Sequence, residues 1–229
     1  MSRSKKILLI GGTSKVWQAF MKKYRGVYEF TYTYYTGTHA DIRANAHAIE
    51  LNLLSEYSID VFLSKIKETE FEGALFLSSV YSSNTASDNP INIFSVNAIT
   101  YHKILQALNL KHNSKVVFFT DAGTLLPKSN YSFYTMAKNI LKSYVRTYGA
   151  ENKDIVVLWI DMWPVITSKI WEAKDKFFNR SPMAHVKSPI KGLCSLLHFI
   201  LNEDNFYSTG SIIDFSWGVY LIRNAQDVR

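Results

Sequence analysis

Ile7-Leu8-Leu9-Ile10-Gly11-Gly12-Thr13-Ser14-Lys15 joins a short apolar run to two glycines and then to a segment with helical spacing, Val16–Tyr24. An apolar run without alternation fits a strand buried on both faces, as in a parallel sheet. A glycine turn feeding straight into a helix begins a strand–helix–strand unit. The alternation continues outward from there. Strand-like runs recur at Tyr28–Tyr34, Ala48–Leu53, Ala74–Leu77, Lys115–Thr120, Ile155–Ile160 and Ser211–Phe215. Helical spacing recurs between them at Ile59–Ile66, Ile93–Leu108, Tyr131–Tyr148 and Ile190–Leu201. The pattern predicts an α/β fold: a doubly wound, Rossmann-type parallel sheet of about seven strands with helices on both faces.

The 229 residues suit a single domain, 1–229, and no repeat, low-complexity stretch or Pro/Gly linker divides them. A chain of this length buries roughly 70% of the surface it exposes when unfolded, so its core needs no disulfide or metal staple. The one cysteine, Cys194, excludes an intramolecular disulfide and suits a reducing compartment. Basic residues precede Ile7–Ile10 as in a signal peptide, but that run is well short of the roughly seven apolar residues of a secretory core. No stretch approaches the roughly 18 apolar residues of a membrane span. These features predict a cytoplasmic chain without a membrane partner. The net charge of +7 is scattered, with doublets at Lys5-Lys6 and Lys22-Lys23, which argues for solvated faces rather than a nucleic-acid interface. A positive field still favours an anionic cofactor or substrate. The six histidines show no paired ligand spacing, so no metal site is expected. The irregular stretch Trp163–Ser188 reads either as a substrate lid or as a plain surface excursion.

Ligands of open α/β sheets bind at the carboxyl ends of the strands. Gly11, Gly12, Thr13, Ser14 and Lys15 are therefore candidates to hold a pyrophosphate against the helix N-terminus. The two further glycines of the dinucleotide pattern are replaced by Val16 and Gln18. Gln18 is expected to hold the helix away from the strand or the phosphates, with Lys15 offsetting this by its charge. A turn of this composition can equally serve packing alone. The second strand ends Tyr32-Thr33-Tyr34-Tyr35-Thr36-Gly37, without the acid that would accept the ribose 2′-hydroxyl of NAD. NADP(H) is thus favoured over NAD(H), with Tyr35 beside the cofactor, although the usual Arg partner is absent too.

Tyr134-Thr135-Met136-Ala137-Lys138 places a phenol and an ammonium four residues apart, on one helix face. A free Tyr, with a pKa of about 10, is a poor acid–base group at neutral pH. An ammonium about 4 Å away stabilises the phenolate by up to ~4 kcal/mol at an effective dielectric of about 20. That is about three pKa units, enough to bring the phenol towards a useful range. In a chain this rich in Tyr and Lys the spacing arises by chance about once; its position after the fifth strand gives it weight.

Three segments sharpen the pattern. The fifth strand ends Val116-Val117-Phe118-Phe119-Thr120-Asp121-Ala122-Gly123, putting Asp121 thirteen residues before Tyr134. The helix opens Tyr131-Ser132-Phe133-Tyr134, and the fourth strand ends Leu77-Ser78-Ser79-Val80-Tyr81. On these residues the whole chain resembles the short-chain dehydrogenase/reductase family, most closely its pteridine reductase and dihydromonapterin reductase branch.

The resemblance implies reduction of a C=N or C=O bond of a small substrate by NADPH, with a reduced pterin first in line and a sugar or polyol carbonyl second. It assigns Tyr134 as proton donor, directly or through Asp121, and Lys138 as the residue that holds the nicotinamide ribose. Asp121 stands where most of the family has Ser; Thr120 takes that role if the loop before Tyr134 is one residue longer. Asn97, in Ser95-Val96-Asn97-Ala98, matches the Asn that orders a relay water. Ser78, Ser79 and Thr120 fall beside the cofactor, Asn52 near adenine, and Pro164 and Thr167 on the nicotinamide side. Tyr81 matches the aromatic that stacks on the substrate. Family members pair through the helices equivalent to Ile93–Leu108 and Tyr131–Tyr148, implying a homodimer or homotetramer. Plainer readings stand beside these: Asn97 as a structural hydrogen bonder, Tyr81 as a loop aromatic, Asp121 as a turn cap. The departures at Val16, Gln18 and Phe215–Gly218 leave a second possibility, a catalytically degenerate homologue acting as a binding or assembly partner.

Overall fold

The first apolar run becomes β1 (Lys5–Ile10), and Ile7 through Ile10 are fully buried, as a strand covered on both faces requires. The structure is a computed structural model that describes residues 4–35, 46–79, 89–121, 130–162, 189–203 and 209–215. β2 (Tyr28–Tyr34) and β3 (Ala46–Glu50) extend the sheet on one side of β1. On the other side follow β4 (Phe71–Phe76), β5 (Leu110–Asp121), β6 (Ile155–Met162) and β7 (Ser211–Phe215). The order is β3-β2-β1-β4-β5-β6-β7, and every neighbouring pair is parallel. The winding reverses between β1 and β4, which places the ligand crevice of such folds at their carboxyl ends.

Helices α1 (Lys15–Tyr24) and α2 (Glu56–Ile66) are capped by Ser14 and Ser55, whose hydroxyls accept from the Trp17 and Ser58 N–H groups. α3 (Pro90–Phe94) runs through a π turn (Ser95–Ile99) into α4 (Thr100–Ala107); α5 (Ser132–Glu151) and α6 (Pro189–Asn202) complete the set. Helices α1 and α6 bury Trp17, Phe20, Leu193, Leu197 and Ile200 against one face of the sheet. On the other face Phe62 of α2, Ile104 of α4 and Leu141 and Val145 of α5 pack on Phe76, Phe118 and Trp159. Each such fully buried side chain contributes roughly 1.5–3 kcal/mol.

Three expectations shift. The strand expected over Ala48–Leu53 ends at Glu50, because Asn52 turns the chain: its Oδ1 accepts the Leu54 N–H at 3.0 Å. The run Lys115–Thr120 is the core of a longer β5, which bends at Asn113 (φ 64°) and shifts register against β4 between Phe71 and Gly73. The uninterrupted helix expected over Ile93–Leu108 contains the π turn. The stretch Trp163–Ser188, with Pro164 and Thr167, lies outside the described residues, as does Tyr81. Among the described residues no helix is long and apolar enough to cross a membrane, and no group of three His, Cys, Asp or Glu could hold a metal ion.

Candidate active site

The turn after β1 is built by close approach. Gly11 has φ +86°, and a Cβ there would lie 2.9 Å from the Ser78 backbone nitrogen; a Cβ on Gly12 would lie 2.5 Å from the Tyr32 ring. Both positions therefore require glycine for packing, whatever else they hold. The Gly11 N–H donates to Thr33 Oγ1 at 3.0 Å and the Gly12 N–H to the Thr33 carbonyl at 2.7 Å. Val16 packs into the core, and Trp17 is fully buried with its indole N–H donating to the Ile10 carbonyl at 3.2 Å. Gln18 does not prop the helix away from its turn; its Nε2 folds back and donates to the Thr13 carbonyl at 3.0 Å. The residues replacing the missing glycines thus tie strand, turn and helix together. The helix keeps the N-terminal N–H groups that helical geometry leaves without intrahelical partners, Trp17 excepted, and Lys15 is exposed beside them. Such an end attracts anions, so the turn fits a pyrophosphate. Tyr35, at the end of β2, is exposed, and Asn52 is engaged in its own turn.

The end of β4 is stitched to the helix opposite. Tyr101, fully buried on α4, donates its hydroxyl to the Ser78 carbonyl. Burial first, and the neighbouring Tyr134 second, push the Tyr101 phenol well above its usual range. The Ser79 hydroxyl donates to Asn97 Oδ1 at 2.7 Å, and Asn97 Nδ2 donates to the Ile93 carbonyl at 2.9 Å. Asn97 is 0% exposed and sits inside the π turn, a distortion frequently found at functional sites. Its carboxamide therefore has a definite structural role, bridging α3 to β4.

Tyr134 and Lys138 lie on the buried face of α5, 5% and 3% exposed, with Lys138 Nζ 5.7 Å from the centre of the Tyr134 ring. Ile93 of α3 and Ala137 pack with Tyr134. A phenol and an ammonium this buried and next to each other can bind a polar ligand and move a proton. Asp121 ends β5, paired in register with Met162; its side chain lies outside the described part. Thr120 turns instead to Asp161 on β6, which accepts its hydroxyl, and Asp161 Oδ2 lies 2.9 Å from Lys142 Nζ.

Sequence reading missed Tyr101, Lys142 and Asp161. The available signal was weak: Asp161 is one acid at the end of an apolar strand, and Lys142 continues the four-residue spacing Tyr134, Lys138, Lys142.

The fold has close counterparts. A short-chain dehydrogenase family protein from Francisella tularensis subsp. tularensis SCHU S4 superposes with a TM-score of 0.80 at 16% identity, covering 96% of this chain and 100% of its own. A short-chain dehydrogenase/reductase from Serratia marcescens BCRC 10948 gives 0.82 at 14% identity, covering 95% and 98%. One from Brucella melitensis, named glucose/ribitol dehydrogenase, gives 0.81 at 13% identity, covering 94% and 96%. No family model matches the sequence and no curated protein does. With its strand order, its crevice between β1 and β4, and these counterparts over nearly its whole length, the chain has the short-chain dehydrogenase/reductase fold.

Proposed function

We propose that this protein is an NADPH-dependent reductase acting on a C=N or C=O bond of a small substrate. A planar pterin is the first substrate class to try and a sugar or polyol carbonyl the second. The observation that carries the reading is the buried pair Tyr134 and Lys138, four residues apart on one helix, with Tyr134 near Tyr101, whose hydroxyl is bonded to Ser78 after β4.

In this reading the nicotinamide nucleotide supplies a hydride when bound. Thr13 and Lys15, with the α1 N-terminus, would hold its pyrophosphate, Lys138 would hold the nicotinamide ribose, and Ser78 and Ser79 would contribute to the cofactor site. The Lys138 ammonium also stabilises the phenolate of Tyr134, offsetting the opposing effect of burial. Tyr134 then gives its proton to the substrate atom that gains charge, directly or through Asp121. Asn97, held rigid by Ser79 and Ile93, orders water behind the pair. Thr120 takes no part in proton transfer, since its hydroxyl is committed to Asp161. The chain is cytoplasmic in this reading and pairs with a second copy through α4 and α5, where Met136 and Ile140 are exposed on α5.

Parallel fluorescence titrations with NADPH and NADH test the nucleotide step. Affinity in the micromolar range for NADPH, with weaker NADH, is expected, and a screen of pterins and ketones comes next. A second reading has one specific support: the Gly11 and Gly12 N–H groups serve Thr33, and Gln18 closes on Thr13. A turn closed by its own residues also suits a degenerate homologue with a binding or assembly role. Absence of affinity for either nucleotide would favour it.

A further inference from the structure

Helix α5 descends β6 in regular steps. Lys142 Nζ meets Asp161 Oδ2 at 2.9 Å, the Arg146 guanidinium lies 5.1 Å from the centre of the Trp159 ring, and a Cβ added to Gly149 would be in ordinary van der Waals contact with Val157, 3.5 Å from the valine Cβ. The helix advances four and then three residues, about 6 Å and about 4.5 Å, against about 6.6 Å for each two-residue step of strand, so the two elements stay roughly in step. Lys142–Asp161 is the last step before β6 ends at Met162. The next turns of α5 carry Lys138 and then Tyr134 past the strand end. This last step is made of charges with side chains only 11% and 4% exposed. Thr120 Oγ1 donates to the same carboxylate, so β5 is tied in at the residue before Asp121. A buried ion pair is weak evidence of stability, because apolar replacements often do as well or better. What apolar side chains do not supply is a directional link between two strand ends and one helix face.

We propose that Lys142, Asp161 and Thr120 are positioning residues, forming a buried clamp that fixes the roll of α5 and so aims Tyr134 and Lys138 over the sheet edge. The inference rests on the reading of Tyr134 and Lys138 as the reactive pair. Asp161→Asn leaves an ammonium without its carboxylate, whereas Asp161→Asn with Lys142→Met removes both charges; Lys142→Arg keeps the link. In the full chain, NADPH affinity, melting midpoint and amide hydrogen exchange over Met136–Leu141 separate the possibilities.

The double variant should melt close to wild type, yet bind NADPH about tenfold more weakly, since misplacement of reactive groups is costly. Its Met136–Leu141 amides should exchange about tenfold faster, with those beyond Val145 unchanged. Lys142→Arg should match wild type in all three. A double variant that regains affinity and slow exchange together with stability overturns the proposal, since the pair would then be structural only. Should the double variant not fold, Thr120→Val, which removes one hydrogen bond and no charge, takes its place: faster exchange over Met136–Leu141 supports the clamp, and wild-type exchange overturns it. If the wild-type chain binds no NADPH, the functional reading falls while exchange still decides the clamp on the same criterion.

Discussion

On the α1–α6 face of the sheet, rings pack on rings: Trp17 lies edge-on to Phe119 at 5.2 Å, and Phe20 contacts Tyr24, Tyr28 and Phe30 at 5.1–5.9 Å. The opposite face begins the same way, with Phe76 stacked on Phe118 at 4.7 Å and Tyr101 beside them. Towards the carboxyl edge it then changes character. Asn97, Thr120, Lys138 and Asp161 are all buried there. Buried polar groups are costly unless paired, and hydrogen bonds answer several of these: Asn97 with Ser79 and Ile93, Asp161 with Thr120 and Lys142, Tyr101 with Ser78. The difference separates a face packed largely by rings from one whose carboxyl edge carries the candidate site.

The comparison can be broken first at Tyr134. Tyr134→Phe removes one hydroxyl from the face that carries the candidate site and, on the proposed function, should lower NADPH-dependent turnover by about 10²–10⁴-fold, with the melting midpoint retained. Turnover within a few-fold of wild type, on any substrate the screen finds, would deny that face its chemistry. The mirror experiment is Phe20→Ala on the other face. It should cost about 3–5 kcal/mol in urea denaturation and leave NADPH affinity of the folded protein unchanged. A parallel loss of affinity would mean that the two faces are not independent.

A smaller effect is expected where the faces meet, at the turn after β1. Lys15→Ala should weaken NADPH binding about three- to fivefold, as loss of an exposed charge does, and raising the salt should shrink the difference. The smallest effect concerns pH on the packing face. His198 stacks on Tyr24 at 4.2 Å, with Tyr28 Oη 2.8 Å from Nδ1 and Asn202 Nδ2 3.0 Å from it. Burial first, then the charges of Lys23 and Lys5, hold the imidazole below its usual range. The folded state thus prefers the neutral ring. The associated stability is full above the unfolded pKa of about 6.5 and is lost as pH falls through the lower folded value. Melting should fall by about one or two degrees more in wild type than in His198→Gln between pH 7 and 5; equal slopes would remove His198 from the account.

Much of the fold was legible because both-face burial leaves an unmistakable mark: Ile7–Ile10, Val116–Phe119 and Ile155–Ile160 have no alternation to misread. That Tyr134 and Lys138 share one face of a helix was legible from their spacing. The π turn was not, since over five residues the apolar spacing of a π turn and of an α turn cannot be told apart. Gln18 was misjudged because a side chain can fold back on its own turn as readily as it can push outward. Asp161 and Lys142 stayed hidden because their link spans 19 residues and two elements, a distance at which local pattern carries no information.

The π turn at Ser95–Ile99 closes on the Thr100 N–H bonded to the Ser95 carbonyl, one residue further than an α turn would reach. That surplus residue works as a phase shifter: α3 is rotated by about 100° relative to α4, within a single continuous rod. The Ile93 side of the rod addresses Tyr134, while Tyr101 and Ile104 on the far side stay in register with the core. A one-residue deletion between Ser95 and Ile99 would therefore act as a change of angle rather than of length. A structure of that variant should show Asn97 turned off Ser79 and Ile93 turned off Tyr134, with α4 still seated. The count of residues in this turn, more than the identity of any one of them, would then set whether the two halves of the site face each other.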